Sequence, residues 1–251
     1  MSQTLMSCAN LSKSFESDGK PVPVIRDVSL EIHQGDFTIL MGSSGSGMST
    51  LLYLLSGLES VSSGQVWFEG EEISSYDEKK LSLLRRSGMG FVFQSFNLVP
   101  DLTMLENILA AGCLTASSKK DIEARAVQLL TGMGLGELNG RLPAQVSGGE
   151  QQRAATARAL INSPGILFAD EPTGALNSTS GTAVLDQFSA LAEQDQTIFM
   201  VTHDLKAACR GNRVLFLKDG AINGEFKFDL ADQSYDQREE ALFGWLSARG
   251  W

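Results

Sequence analysis

The residues whose types and spacing point most directly to chemistry are Gly42-Ser43-Ser44-Gly45-Ser46-Gly47-Met48-Ser49-Thr50. They follow the apolar run Phe37-Thr-Ile-Leu-Met41 and lead into Leu51-Leu52-Tyr53-Leu54-Leu55. A short apolar run ahead of glycines predicts a buried parallel strand, and the leucine-rich run behind predicts a helix. In that layout the glycines let backbone N–H groups converge on a phosphate at a helix N-terminus. Ser49 stands where a hydroxyl ligand to Mg²⁺ is expected. The pattern G-x-x-x-x-G-K-[ST] is met at every fixed position except one, where Met48 replaces the lysine. That lysine normally brings a point charge to the β- and γ-phosphates. Taken alone, the stretch also fits a plain Gly/Ser turn between a strand and a helix.

Two further stretches carry related chemistry. Ile166-Leu-Phe-Ala-Asp170-Glu171 reads as a buried strand delivering an acidic pair. Asp170 could hold Mg²⁺ through its water shell, and Glu171 could polarise an attacking water. In isolation the pair could equally cap a strand. In Val146-Ser147-Gly148-Gly149-Glu150-Gln151-Gln152-Arg153, Ser147 and Glu150 have the spacing of a capping box, so a helix begins there. Gly148 and Gly149 let a ligand approach its exposed N–H groups, which makes a second anion site. One nucleotide does not need two such sites from one chain. Two chains could each supply one, giving composite sites across a symmetric dimer.

The elements that must position these residues follow from periodicity. Leu5–Phe15 and Val24–Ile32 alternate as strands around a turn-rich stretch, Glu16–Pro23, and Gly64–Phe68 adds a strand ending at the turn Glu69-Gly70. Together they predict a small antiparallel sheet. Tyr76–Arg86 is helical in spacing, and Met89–Phe93 is a buried strand ending at Gln94. From residue 95 to 163 strand signals vanish, with helices over Leu105–Leu114 and Lys119–Met133, so a helical subdomain is inserted between core strands. Strands return at Gly165–Ala169, Thr197–Val201 and Arg213–Lys218, with a helix over Gly181–Ala192 between the first two. Such βαβ units predict a mostly parallel sheet, with polar groups past the carboxyl ends of its strands. The tail carries Leu242, Trp245 and Leu246 at helical spacing, suited to core packing or to a partner helix.

Composition narrows the classes. The chain has 251 residues, enough for one large domain, and Lys+Arg 20 against Asp+Glu 30 gives a net charge of −10. That balance argues against nucleic acid as a main partner, because phosphate backbones are bound through clustered Lys and Arg. Cys8, Cys113 and Cys209 share no C-x-x-C spacing and fit a reducing compartment. The first ten residues lack the regions of a signal peptide, and no apolar run approaches the ~18 residues of a membrane span. The expectation is a cytoplasmic protein, peripheral on the inner face of the cell membrane through a partner.

In content and order these elements resemble the ATP-binding subunits of ABC transporters. Gly42–Thr50 is similar to the Walker A loop, Gln94 to the glutamine of the Q-loop, and Ser147–Glu150 to the signature, with Glu150 where Gln is usual. Ile166–Asp170 is similar to Walker B and Glu171 to the catalytic glutamate. Gly174-Ala-Leu-Asn177 resembles the D-loop, with Asn177 for the commoner Asp, and His203 the switch histidine. Phe15 resembles the aromatic that stacks on adenine, where Tyr is commoner. The wording Glu171-Pro-Thr-Gly-Ala-Leu176 is similar to the lipoprotein-release, macrolide-export and bacitracin-resistance exporters, and Asn177 and the Trp251 tail look most like the bacitracin branch. The resemblance implies a P-loop NTPase of α/β class, with a RecA-like mostly parallel sheet, an antiparallel β subdomain and an inserted helical subdomain. Residues 5–94 and 164–225 would form the core and β subdomain, 95–163 the helical subdomain, and 226–251 a C-terminal extension.

It also implies ATP and Mg²⁺ as cofactors, with Ser49, Gln94 and Asp170 at the metal. Two copies would sandwich ATP head to tail, and closure would pass to an integral-membrane permease of FtsX-like type. Phe96, Leu98 and Val99 after Gln94 would serve as docking contacts or as ordinary core. His33 has no partner spacing and reads as a surface or satisfied residue. Met48 keeps the length of lysine without its charge, which predicts retained but weaker nucleotide binding and a very slow or inactive ATPase. Since Gln94, Glu171 and His203 are all present, a single substitution in a competent enzyme fits better than a retired site. The competing functions are a non-hydrolysing nucleotide-gated scaffold and an ABC protein acting on nucleic acid or ribosomes.

Overall fold

The computed structural model describes residues 3–115, 118–228 and 233–251. Parts of three expectations fall outside them: residues 1–2 of the N-terminal stretch, 116–117 of the helical segment and 229–232 of the C-terminal extension. The described chain divides into two compact units, residues 1–81 with 192–251, and residues 82–191.

The first unit opens with a long hairpin, β1 (Thr4–Ser17) and β2 (Lys20–His33). Both strands run further than their alternation predicts, and the expected turn shrinks to Asp18-Gly19, each with positive φ. A two-residue Asp-Gly turn matches the twist of paired strands. Pro21 and Pro23, which made this stretch look like a loop, sit on β2 at the edge of the sheet, where a missing N–H costs nothing. β3 (Phe37–Gly42) follows, buried along its whole length, then α1 (Met48–Leu55), β4 (Ser63–Phe68) and the short β5 (Glu71–Glu72). The antiparallel sheet has the order β2-β1-β4-β5.

Helix α2 (Glu78–Gly88) carries the chain into the second unit. There follow β6 (Met89–Phe93), α3 (Met104–Gly112), α4 (Lys119–Gly132), α5 (Gly148–Leu160), β7 (Ile166–Asp170) and α6 (Ser178–Ala192). β6 and β7 pair in parallel with Phe93 opposite Asp170. Helices α3, α4 and α5 pack on one another through buried Met104, Ile108, Ile122, Ala126, Leu130, Ala154 and Ala157. The alanines of α5 allow that close approach.

The chain then returns to the first unit with β8 (Thr197–Val201), the single turn α7 (Leu205–Ala208), β9 (Arg213–Lys218), β10 (Ala221–Lys227) and α8 (Tyr235–Ser247). β3 is flanked by β8 and β9, parallel to both, and β10 adds an antiparallel edge to β9. Strand β10 escapes the sequence because Asn223-Gly224 interrupts its alternation with a register shift. The tail helix packs into the core of this unit: Leu242 and Leu246 are fully buried, and Trp245 lies against Phe216 and Phe226.

One buried charge ties the end of α1 to β1. Lys13 Nζ donates to Glu59 Oε1 at 2.7 Å and to the Ser60 carbonyl at 2.7 Å. Hydrogen bonding to Lys13 holds the Glu59 carboxyl below its ordinary pKa. A lowered carboxylate pKa contributes stability above the unfolded value and loses it as pH falls through the folded value. Lys13→Met should therefore lower the urea stability at pH 7 by about 2 kcal/mol. The deficit should narrow in acid as the parent's Glu59 protonates; a pH-independent deficit would show that this pair is not its cause.

Candidate functional site

Glycine-bearing loops and strand ends gather in each unit. In the first, Ser43, Ser44 and Gly45 are exposed at the tip of the loop between β3 and α1. Gly47, the N-cap of α1, takes φ 99°, a left-handed conformation that a Cβ would strain, and a Cβ there would meet Ile25 Cδ1 at 2.9 Å. A Cβ on Gly42 would lie 2.5 Å from the Leu217 carbonyl oxygen and 2.5 Å from Ser46 Oγ. Both positions thus require glycine for backbone reasons.

Helix α1 starts without a side-chain cap. Asp77, Thr103, Ser118, Ser147, Asn177, Asp204 and Ser234 each accept a backbone N–H in the first turn of the other described α-helices. The first N–H groups of a helix need partners, and its dipole favours an anion there. Ser46 Oγ beside them is buried with no hydrogen-bond partner. An orphaned hydroxyl and an uncapped helix mouth fit a bound phosphate group. Met48 is only 9% exposed, and its Cγ lies 3.3 Å from the Cβ position of Gly42. Its side chain packs against the start of the loop and brings no charge. Ser49 and Thr50, half-buried, continue the helix.

His203 follows β8 in the same unit and is exposed. The parallel register pairs Leu40 with Val201, and Thr202 N donates to the Leu40 carbonyl at 3.1 Å. Carried on two residues, this register brings His203 out at the level of Gly42. Phe15 is 40% exposed, with Lys13 Nζ 4.9 Å from its ring centroid, so it offers an aromatic surface on β1. His33 lies far along the hairpin, where Nδ1 meets Thr4 Oγ1 at 3.3 Å.

The second unit assembles the remaining residues. Because Phe93 pairs with Asp170, Gln94 and Glu171 leave their strands side by side. Asp170 is buried at the strand end, whereas Gln94 is exposed. Glu171 has φ 48°, a left-handed conformation costly for a residue with a Cβ. The turn it begins closes with Gly174 N donating to the Glu171 carbonyl at 3.0 Å. A Cβ on Gly174 would lie 2.8 Å from Gln94 Nε2, so the glutamine amide rests on that turn. Asn177 has a plain structural role, since its Oδ1 accepts the Ser180 N–H at 2.9 Å and caps α6.

The capping box at α5 is formed. Ser147 N and Oγ donate to Glu150 Oε2 at 2.7 and 2.8 Å, and Glu150 N returns a bond to Ser147 Oγ at 3.3 Å. These bonds, the Ser147 N–H first, hold the Glu150 carboxyl below its ordinary pKa. Gly148 lies against Phe96 and Leu176, and Gly149 against Ser180. Of the three apolar residues after Gln94, Phe96 and Leu98 are half-buried and Val99 is 47% exposed. Sequence reasoning missed Gln152 and Arg158 of α5, which hold the segment around Gln94. Arg158, the one charged residue in Ala154–Leu160, was the available signal.

A family model described as ABC transporter matches residues 25–174. The chain belongs to this family. It is 45% identical over 202 residues to the lipoprotein-releasing system ATP-binding protein LolD of Aquifex aeolicus, covering 80% of this chain and 90% of that protein. It is 40% identical to the bacitracin export ATP-binding protein BceA of Halalkalibacterium halodurans, over 87% of each. It is 42% identical to the macrolide export ATP-binding/permease protein MacB of Marinobacter nauticus, over 87% of this chain but only 34% of that protein, so it spans about a third of MacB's length. The post-hydrolysis dimer of the ATP-binding cassette MJ0796, bound to ADP and Pi, superposes with a TM-score of 0.82 at 36% identity, covering 89% of this chain and 98% of that one. The chain is thus an ABC transporter ATP-binding domain of α/β class, with a mixed sheet and an antiparallel sheet. Members of the family are ATPases. Among the described residues no helix is long and apolar enough to cross a membrane.

Strain at Glu171 gives a test of whether its backbone is held for function. Glu171→Gly should raise the urea stability by about 1 kcal/mol, by removing the left-handed penalty. Glu171→Gln should not. Equal stability of the two variants would show that the turn is not strained.

Proposed function

We propose that this chain is the ATP-binding subunit of an exporter, and that it works as a head-to-tail pair. One copy's Gly42–Thr50 loop and the other's Ser147–Glu150 mouth would hold the same triphosphate. The observation that carries this reading is the pairing of an uncapped helix mouth at α1, beside orphaned Ser46 Oγ, with a second glycine-lined mouth at α5. The dimeric MJ0796 cassette with ADP and Pi supports the stoichiometry. LolD, MacB and BceA carry transport names, which supports coupling to a membrane permease, with FtsX-like type as the expected form. Peripheral attachment at the membrane follows from that partner. The three identities assign the chain to no one branch, so antimicrobial peptides and lipid- or lipoprotein-type molecules are both proposed cargo classes.

The roles follow from chemistry. Backbone N–H groups of residues 43–50 and Ser46 Oγ bind phosphate oxygens, and the exposed ring of Phe15 stacks on the base. Ser49, Gln94 and Asp170 are the proposed holders of Mg²⁺, which would neutralise phosphate charge. Glu171 orients and deprotonates the attacking water, and His203 donates to the γ-phosphate. Ser147 and Gly149 offer N–H and O–H groups to that phosphate from the second copy. Residues 95–163 form the helical subdomain, and residues 226–251 a C-terminal extension.

Met48 removes the one fixed cation of the loop. Binding through the remaining donors survives, weakened by about 1.5–3 kcal/mol, the usual worth of a hydrogen bond to a charged group. Loss of such an electrostatic stabiliser lowers the chemical step about 10²–10³-fold. Met48→Lys should therefore raise steady-state phosphate release by about that factor while Glu171→Gln in the same background abolishes it. No gain on restoring the lysine would favour the non-hydrolysing scaffold.

A further inference from the structure

Three contacts fasten the segment bearing Gln94 to α5, the helix whose mouth is the signature. Before the glutamine, Gln152 Nε2 donates to the Phe93 carbonyl at 3.1 Å, from a side chain fully buried in the unit. After it, the Arg158 guanidinium donates through Nη2 to the Phe96 carbonyl at 2.9 Å and through Nη1 to the Asn97 carbonyl. Between them, the Phe96 ring lies against Gly148 at the helix mouth, within 3.4 Å of where its Cβ would be.

The two carbonyls held by Arg158 belong to consecutive left-handed residues, of which the aromatic one is strained. Phe96 and Asn97 have φ of 57° and 52°, and the left-handed region is costly for an aromatic residue. Strain of this kind persists only where surrounding contacts over-determine it. Here the contact is a charged group, half-buried on α5, and its burial pushes the Arg158 pKa down. A guanidinium can bond two neighbouring carbonyls at once with its rigid fork, whereas a lysine ammonium on a flexible stem lacks that geometry.

We propose that Arg158 is the positioning residue that couples the signature mouth to Gln94, by locking Phe96-Asn97 in the left-handed turn that sets where Gln94 stands. This rests on the proposed composite site. A phosphate arriving at Ser147–Gly149 meets the mouth on which the Phe96 ring rests. Any displacement of α5 is then delivered to both flanks of Gln94, through Gln152 on one side and Arg158 on the other. Arg158 itself touches no nucleotide; it acts through the turn.

The test uses the full chain and two readouts. In amide hydrogen exchange, Mg-ATP should slow residues 146–153 and 93–99 together in the parent. In Arg158→Met, residues 93–99 should exchange about tenfold faster and no longer respond to Mg-ATP, while 146–153 still do. In the Met48→Lys background, Arg158→Met should lower kcat about 10²-fold with KM within about twofold, since it misplaces rather than removes a group. Arg158→Lys, keeping charge but not the fork, should recover only part of that loss. The coupling is overturned if residues 93–99 respond to Mg-ATP in Arg158→Met as in the parent, or if kcat is unchanged. A matching fall in kcat and thermal stability that Arg158→Lys repairs fully would also overturn it, by showing a merely structural role. If Mg-ATP protects neither segment in the parent, the composite-site reading itself fails, and the coupling with it.

Discussion

Helix α1 begins on a glycine with no side chain to close its first turn, and the other described α-helices each have a cap. That single difference organises the first unit. A helix mouth without a side-chain cap, in the field of the helix dipole, favours an anion. β3 can present that mouth because it is buried along its whole length and paired in parallel with β8 and β9, with β9 as far as Gly42. The same register that fixes β3 brings His203 out beside the loop.

The second mouth, at α5, solves its local problem differently. Ser147 and Glu150 satisfy each other, so a phosphate reaching the Ser147 donors would have to exchange with Glu150. A carboxylate at that position makes the exchange electrostatically harder than a neutral amide would. The two mouths therefore differ in kind: one is open and short of partners, the other self-closed and poised for displacement. That asymmetry suits a loop that binds nucleotide within one chain and a mouth that engages it only on association.

Much of this was legible in the residues. The strand–glycine–helix order, the capping box at Ser147 and the strands ending at Gln94, Asp170 and His203 all emerge as expected, because buried apolar runs and cap chemistry are local signals. What escaped was non-local. Pro21 and Pro23 disguised β2 as a loop, since nothing in the sequence says which strand is an edge. Asn223-Gly224 hid β10, and the left-handed conformations of Phe96 and Glu171 are imposed by tertiary contacts rather than by turn-forming side chains. Asn177, placed in the D-loop by resemblance, also caps a helix, which neither spacing nor composition announces.

The central claim is that one triphosphate is held by both kinds of mouth, each from a different copy of the chain. A high-resolution structure of the chain with Mg-ATP tests it most directly. The account predicts a two-fold assembly in which Ser147 and Gly149 of one copy lie within hydrogen-bond distance of the γ-phosphate cradled by Gly42–Thr50 of the other. An ATP-bound assembly with every Ser147 still closed on its own Glu150, and no phosphate near it, would contradict it.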